Sequence, residues 1–199
     1  MSMEEKPWFR FWPADVPKNI EYPTVPLNEI LEKTAEEHPE KTAMAYFEGE
    51  ITYGELDALS DQFAAALAKL GVKKGDRAAI FLPNIPQFII AYFGILKAGA
   101  VLTTISPLHR EREVEHQLAD SEAETVVVLD SLLPIVEAVW RKSKLKHAIV
   151  TCLEEYSSKK PSPITSVQKP SVYSFQELLK TEAKPSNMNI NPLDLAVLQ

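Results

Sequence analysis

The 199-residue chain is 45% apolar and 25% charged, the balance of a folded globular protein, and its length suits one domain with an added arm. A net charge of −7 leaves no basic face of the kind that tracks nucleic-acid phosphates, so no nucleic-acid partner is expected. One cysteine, Cys152, excludes an internal disulfide framework and suits a reducing compartment, and no apolar run approaches the ~20 residues of a transmembrane segment.

Residues 1–26 read as an extended arm, because Pro7, Pro13, Pro17, Pro23 and Pro26 deny it a regular helix. Its Trp8, Phe9, Phe11 and Trp12 rings have two readings: they pack on their own domain, or they meet a partner or membrane surface. Peripheral membrane contact therefore stays open. The start of the chain lacks the basic flank and apolar stretch of a signal peptide, and a cytoplasmic protein is the default expectation.

Residues 27–37 suit a helix with Leu27, Ile30 and Leu31 on one side, broken at Pro39. Thr42–Phe47 and Glu50–Thr52 read as a hairpin turning at Glu48-Gly49. Thr52 and Glu55 have the spacing of a capping box. The helix they open shows Leu56, Leu59, Phe63, Leu67 and Leu70 on one face and ends at Gly71 as a left-handed cap.

Arg77–Leu82 is a continuous apolar run closed by Pro83-Asn84, and Pro86 starts a helix that runs to Lys97. Ala100–Thr104 is the next strand, Glu111–Ala119 the next helix. Thr125–Leu129 is a buried strand, Leu132–Arg141 a helix and His147–Thr151 another strand. The order from Arg77 is β-α-β-α-β-α-β. Near-continuous apolar strands belong to a parallel sheet covered on both faces, so the fold class is α/β: a parallel sheet flanked by helices in βαβ repeats, preceded by the arm and the short hairpin. Crossovers should be right-handed.

The α/β unit is expected over residues 27–154, followed by a loop or linker with a short helix over 155–192. Tyr156–Ser171, rich in Ser, Lys and Pro, reads as exposed loop, and Phe175–Leu179 as the helix. Asn187–Pro192 should turn, and residues 193–199 begin what reads as a further buried strand. A domain rarely stops inside such a strand, so a truncated N-terminal domain is expected.

In a parallel open sheet, ligands bind beyond the carboxyl ends of the strands. Those ends are Pro83-Asn84, Ser106-Pro107-Leu108-His109 and Asp130-Ser131, and turns or helix caps explain each of them without a ligand. The four histidines do not form a metal site: His109 and His116, if on one helix, would stand ~10 Å apart. Arg110 to Glu113 with Glu115 read as a solvated helix face, and Cys152 as a small core residue. The six glycines include no Walker loop and no dinucleotide fingerprint. The residues alone spell out no catalytic constellation.

The order of segments is more specific. Thr52-Tyr53-Gly54-Glu55-Leu56, Gly75-Asp76-Arg77, Pro83-Asn84, Leu96-Lys97-Ala98-Gly99-Ala100 and Pro107, in sequence and at family spacing, resemble the opening of the acyl-adenylate-forming (AMP-binding) superfamily of acyl-CoA synthetases, luciferases and adenylation domains. Trp8, Trp12-Pro13, Val16-Pro17, Pro107-Leu108 and Glu115-His116-Gln117-Leu118 make the chain most similar to long-chain fatty acyl-CoA synthetases.

The resemblance implies the N-terminal subdomain of an ATP-dependent fatty acid–CoA ligase. In such an enzyme a carboxylate attacks the α-phosphate of ATP to give acyl-adenylate and pyrophosphate, and the thiol of coenzyme A then displaces AMP. ATP, Mg²⁺ and coenzyme A are implied for the parent enzyme, with none bound by the chain alone. The family's pyrophosphate loop follows a segment similar to Asp194–Gln199, so no catalytic residue is carried over and the fragment is expected to be inactive. Some aryl-CoA ligases place an arginine after an Asn-Pro near the coenzyme A entrance. Here Ser106 and Leu108 flank Pro107, and the nearest basic candidates are His109 and Arg110. Self-association through apolar surface left for missing subdomains is also expected. The alternative is a free-standing α/β binding or interaction module without catalysis.

Overall fold

The computed structural model describes residues 6–157, 169–182 and 189–199. Helix α1 (Leu27–Glu37) precedes a hairpin of β1 (Thr42–Tyr46) and β2 (Gly49–Thr52), which leads into α2 (Tyr53–Lys69). Then follow β3 (Arg77–Phe81), α3 (Pro86–Lys97), β4 (Val101–Thr104), α4 (Glu111–Ser121), β5 (Thr125–Leu129), α5 (Leu133–Val139) and β6 (His147–Thr151). Strand β7 (Val172–Ser174), helix α6 (Phe175–Leu179) and strand β8 (Val197–Leu198) complete the order. The sheet order is β7-β6-β5-β3-β4-β8, every neighbouring pair parallel.

The alternation of side chains along each strand divides the core into two layers. Ala78, Ile80, Leu102, Val127 and Ile149 meet α1, α2, α3 and α6, whereas Ala79, Phe81, Val126, Val128, Ala148 and Val150 meet α4 and α5. All five residues of β5 are buried, as a doubly covered strand requires.

Local chemistry places these elements. The α2 capping box is complete: the Glu55 N–H donates to Thr52 Oγ1 at 3.2 Å, and the Thr52 N–H to Glu55 Oε2 at 2.8 Å. Gly71, at φ +90°, ends that helix. Helix α3 lies directly against α2 because Gly94 has no side chain; a Cβ there would sit 2.7 Å from Phe63 Cδ1 and 3.0 Å from Ser60 O. One turn on, Lys97 is only 5% exposed and reaches Asp57 Oδ1 at 2.6 Å and Asp61 Oδ1 at 2.5 Å, both on α2. Phe63 in turn stacks on Phe175 of α6 at 5.0 Å.

Several expectations are corrected. The arm is not wholly extended, since Pro7–Phe11 form a 3₁₀ turn, which proline can open because its missing N–H is not needed there. In the hairpin the left-handed residue is Phe47, at φ 52°; Gly49 answers a steric demand instead, with Tyr156 O 2.6 Å from where its Cβ would lie. The expected helix over 132–141 is a short α5 between 3₁₀ turns at Asp130–Leu132 and Trp140–Lys142.

Within the expected linker, Val172–Ser174 joins the sheet beside β6, and Phe175 is fully buried. Residues 158–168 of the expected loop and 187–188 of the expected turn lie outside the described residues. The last strand is two half-buried residues rather than a buried run, with Leu193 94% exposed, because β4 is its only partner among the described strands.

Substituting Gly94→Ala should force α2 and α3 apart. Overpacking of this kind costs about 1–3 kcal/mol, or a fall in Tm of several degrees for a chain of this size. An unchanged thermal midpoint would contradict the contact.

Candidate functional site

Right-handed crossovers settle where a ligand crevice can form. The chain steps from β3 to β4 in one direction and then returns past β3 to β5, so α3 covers one face of the sheet and α4 and α5 the other. Helices following neighbouring strands thus diverge around the carboxyl end of β3, the position where open α/β sheets hold ligands. The sequence-designated residues Asn84, Ser106, His109, Asp130 and Ser131 follow the carboxyl ends of β3, β4 and β5.

Each has a defined local role. Pro83 O accepts the Ile85 N–H at 2.9 Å, turning the chain so that exposed Asn84 stands beyond β3 and Pro86 opens α3. No side chain caps α3: Pro86 at its head has no N–H, and the Phe88 N–H donates to Ile85 O at 2.9 Å. After β4, the His109 N–H donates to Ser106 O at 2.9 Å, and the Ser106 hydroxyl accepts weakly from the Leu108 N–H at 3.4 Å. Gln117 of α4 donates to Thr104 O, tying the end of β4 to that helix. Asp130 accepts the Ser131 N–H at 2.7 Å.

His109 and Arg110 are adjacent at the start of α4. Arg110 is exposed, and its backbone N–H donates to Glu113 Oε2 at 3.0 Å. The Glu113 carboxyl is held below its ordinary range, first by its own backbone N–H and that of Arg110, then by the nearby charges of His109 and Arg112. His109 Nδ1 is buried with no protein partner. Since α4 begins at Glu111, His109 and His116 do not share one helix.

A polar network beside β6 escaped the sequence reading. Gln87, fully buried in the first turn of α3, donates through Nε2 to Thr151 Oγ1 at 2.9 Å and to Cys152 O at 2.8 Å. Thr151 donates to Glu155 Oε2 at 2.6 Å, and Gln176 of α6 donates to the same oxygen at 3.2 Å. Burial raises the Glu155 carboxyl despite these donors and pushes the Tyr156 phenol up to about 12. The Cys152 thiol is also raised by burial, the opposite of what a thiolate nucleophile needs. A clue was present in Gln87 itself, a polar residue just inside a helix of Ile and Phe; its partners lie 64 or more positions away.

The glycines with left-handed backbone, Gly71, Gly75 and Gly99, all precede β3 or β4 and lie at the amino edge of the sheet, away from the crevice. Among the described residues no group of three or more His, Cys, Asp or Glu side chains could hold a metal ion, and no helix is long and apolar enough to cross a membrane.

Residues 31–199 match a family model described as AMP-binding enzyme. The chain is 31% identical to a long-chain-fatty-acid–CoA ligase of Bacillus subtilis over 98% of its own length and 37% of the relative's. It is 38% identical to the enzyme of the same name from Yersinia pestis over 74% of this chain and 26% of that one. The chain therefore spans well under half the length of these relatives. An anthranilate CoA ligase solved with anthranoyl-AMP superposes with a TM-score of 0.76 at 23% identity, covering 89% of this chain and 32% of that one. A long-chain-fatty-acid–CoA ligase from Archaeoglobus fulgidus superposes at 0.72 and 22% identity, over 90% and 35%. At such identities these two structures establish the fold.

The Glu155 network makes a prediction with a definite sign. Because its folded-state carboxyl is raised above the ordinary 4.5, ionising it costs stability as pH rises through the raised value, and the cost vanishes below the unfolded value. Glu155→Gln removes that cost. The Tm of the variant relative to the parent should therefore climb between pH 4 and pH 8; a difference that stays constant or falls would refute the assignment.

Proposed function

The chain belongs to the AMP-binding enzyme family, and from that premise we propose that it is the N-terminal scaffold of an ATP-dependent ligase joining a fatty acid to coenzyme A. The observation that carries the substrate class is its identity of 31% or more to long-chain-fatty-acid–CoA ligases over most of its own length. In this reading fatty acid, ATP, Mg²⁺ and coenzyme A are ligands of the whole enzyme, which works in the cytoplasm. Residues 27–199 contribute one wall of the site and the frame that holds it.

The absence of any phosphate cradle on the described carboxyl edge supports a scaffold role and an inactive isolated chain. Purified as the 199-residue chain, it should show no fatty-acid-dependent exchange between ATP and pyrophosphate. Exchange above background with any acid from octanoate to oleate would overturn the scaffold reading.

We further propose that His109 and Arg110 stand beside the coenzyme A entrance. Their position just past β4, the exposure of Arg110 and the unpartnered Nδ1 of His109 support that placement. In the full-length ligase, Arg110→Ala should raise the KM for coenzyme A about three- to tenfold, an effect of about 0.7–1.4 kcal/mol, that of one ordinary hydrogen bond at an exposed site. ATP–pyrophosphate exchange should be unaffected. An unchanged KM for coenzyme A removes Arg110 from the site.

A further inference from the structure

The amino edge of the sheet, opposite the candidate site, holds a groove that the ligase reading does not use. Three stretches line it: the entry to α1 with Tyr22, Leu27 and Ile30, the segment from Ile190 to Ala196, and the turn from α3 into β4, whose buried Leu96 and Ala100 form the base. Its volume is about 370 Å³, within the range of small-molecule sites.

The second of these stretches is fastened without help from any occupant. Lys74 Nζ donates to Asn189 O at 2.7 Å and pairs with Asp194 at 2.6 Å. Asp194 also accepts the Asn191 N–H at 2.7 Å, and Asn191 Oδ1 accepts the Leu193 N–H at 2.9 Å. The Lys74 stem rests on Gly99 of the lining, where a Cβ would meet it at 3.3 Å. The groove is thus preformed, and yet its rim is apolar: Tyr22 is 77% exposed, Leu195 57%, Ile30 49% and Leu27 40%. A contiguous apolar patch on a folded surface marks a contact site.

Three observations select the occupant. These four side chains offer on the order of 400 Å² of exposed surface, taking about 200 Å² for each when fully exposed. That is about half of the roughly 800 Å² that each partner gives a specific protein interface, so the patch suits a small molecule. The amide and carboxylate side chains of the lining are already engaged, Asn28 with Glu32 at 2.8 Å and Asn191 and Asp194 as described, so they serve the chain rather than a charged ligand. Tyr22 is the one ring on an otherwise aliphatic lining, which suits a flexible chain rather than a stacked aromatic plate. We propose that the groove binds a single linear alkyl chain, the chemistry that a free fatty acid and an esterified acyl group share. The proposal does not rest on the ligase reading, because the groove lies across the sheet from His109 and Arg110 and is built wholly from this chain.

The test is isothermal titration of the 199-residue chain with hexanol, octanol and decanol. Each added methylene should tighten binding about fourfold. The double variant Ile30→Gln, Leu195→Gln should weaken decanol binding about tenfold or more, with the thermal midpoint unchanged, since both side chains are exposed. The chain-length series needs no variant and stands whether or not this one folds. Decanoate then separates the two sources: binding as tight as that of decanol points to free fatty acids, and binding of the alcohol alone points to esterified chains. Three results would overturn the proposal: no binding of decanol, an affinity indifferent to chain length, or binding that the folded double variant retains. A dimer in ultracentrifugation that the double variant disperses would also overturn it, assigning the groove to a second copy of the chain. None of these results touches the ATP–pyrophosphate prediction, so the two readings stand or fall separately.

Discussion

A parallel sheet with apolar residues on both sides has no face it can turn to water, and this requirement organises the molecule. Ile80 and Phe81 are neighbours in β3, yet one belongs to the layer under α2 and α3 and the other to the layer under α4 and α5. Each strand must therefore be followed by a helix that covers it, and the handedness of the crossover decides which face that helix takes. Reversal of direction at β3 sends α3 and α4 to opposite faces, and the crevice at the carboxyl edge is a by-product of that reversal. Site and core are consequences of one packing problem.

The helical layer over α2 and α3 meets a second demand, since two helices approach closely while carrying charge between them. Gly94 allows the approach, and the Lys97 ammonium lies between Asp57 and Asp61 at the edge of the same contact. Buried charge is tolerated only with partners of this quality. Phe63 extends the contact to α6, which places Gln176 where it completes the network of Gln87, Thr151 and Glu155. Helix α6, in the stretch the sequence suggested was a connector, is thereby held to the core by both aromatic stacking and hydrogen bonds.

The two edges of the sheet differ in chemistry. The flexible-backbone glycines serve the amino edge, ending helices and admitting tight turns into β3 and β4. The carboxyl edge carries proline, asparagine, serine, histidine and arginine instead, together with the uncapped start of α3.

The amino-acid sequence alone determined the elements whose signals are local. The capping box at Thr52 and Glu55, the proline at the head of α3, the left-handed Gly71 and the all-apolar β5 were each legible, because a few neighbouring residues decide them. The family likeness, too, lay in ordered short motifs. Only the tertiary structure decided that Val172–Ser174 is a strand, that Gly49 answers to Tyr156, and that Gln87 finds Thr151, Cys152 and Glu155. Each depends on contacts between residues far apart in the chain, whose energies no local pattern records. The arm shows the same division: its prolines announced irregular backbone, but only the folded chain set the Phe9 ring against those of Trp8 and Trp12.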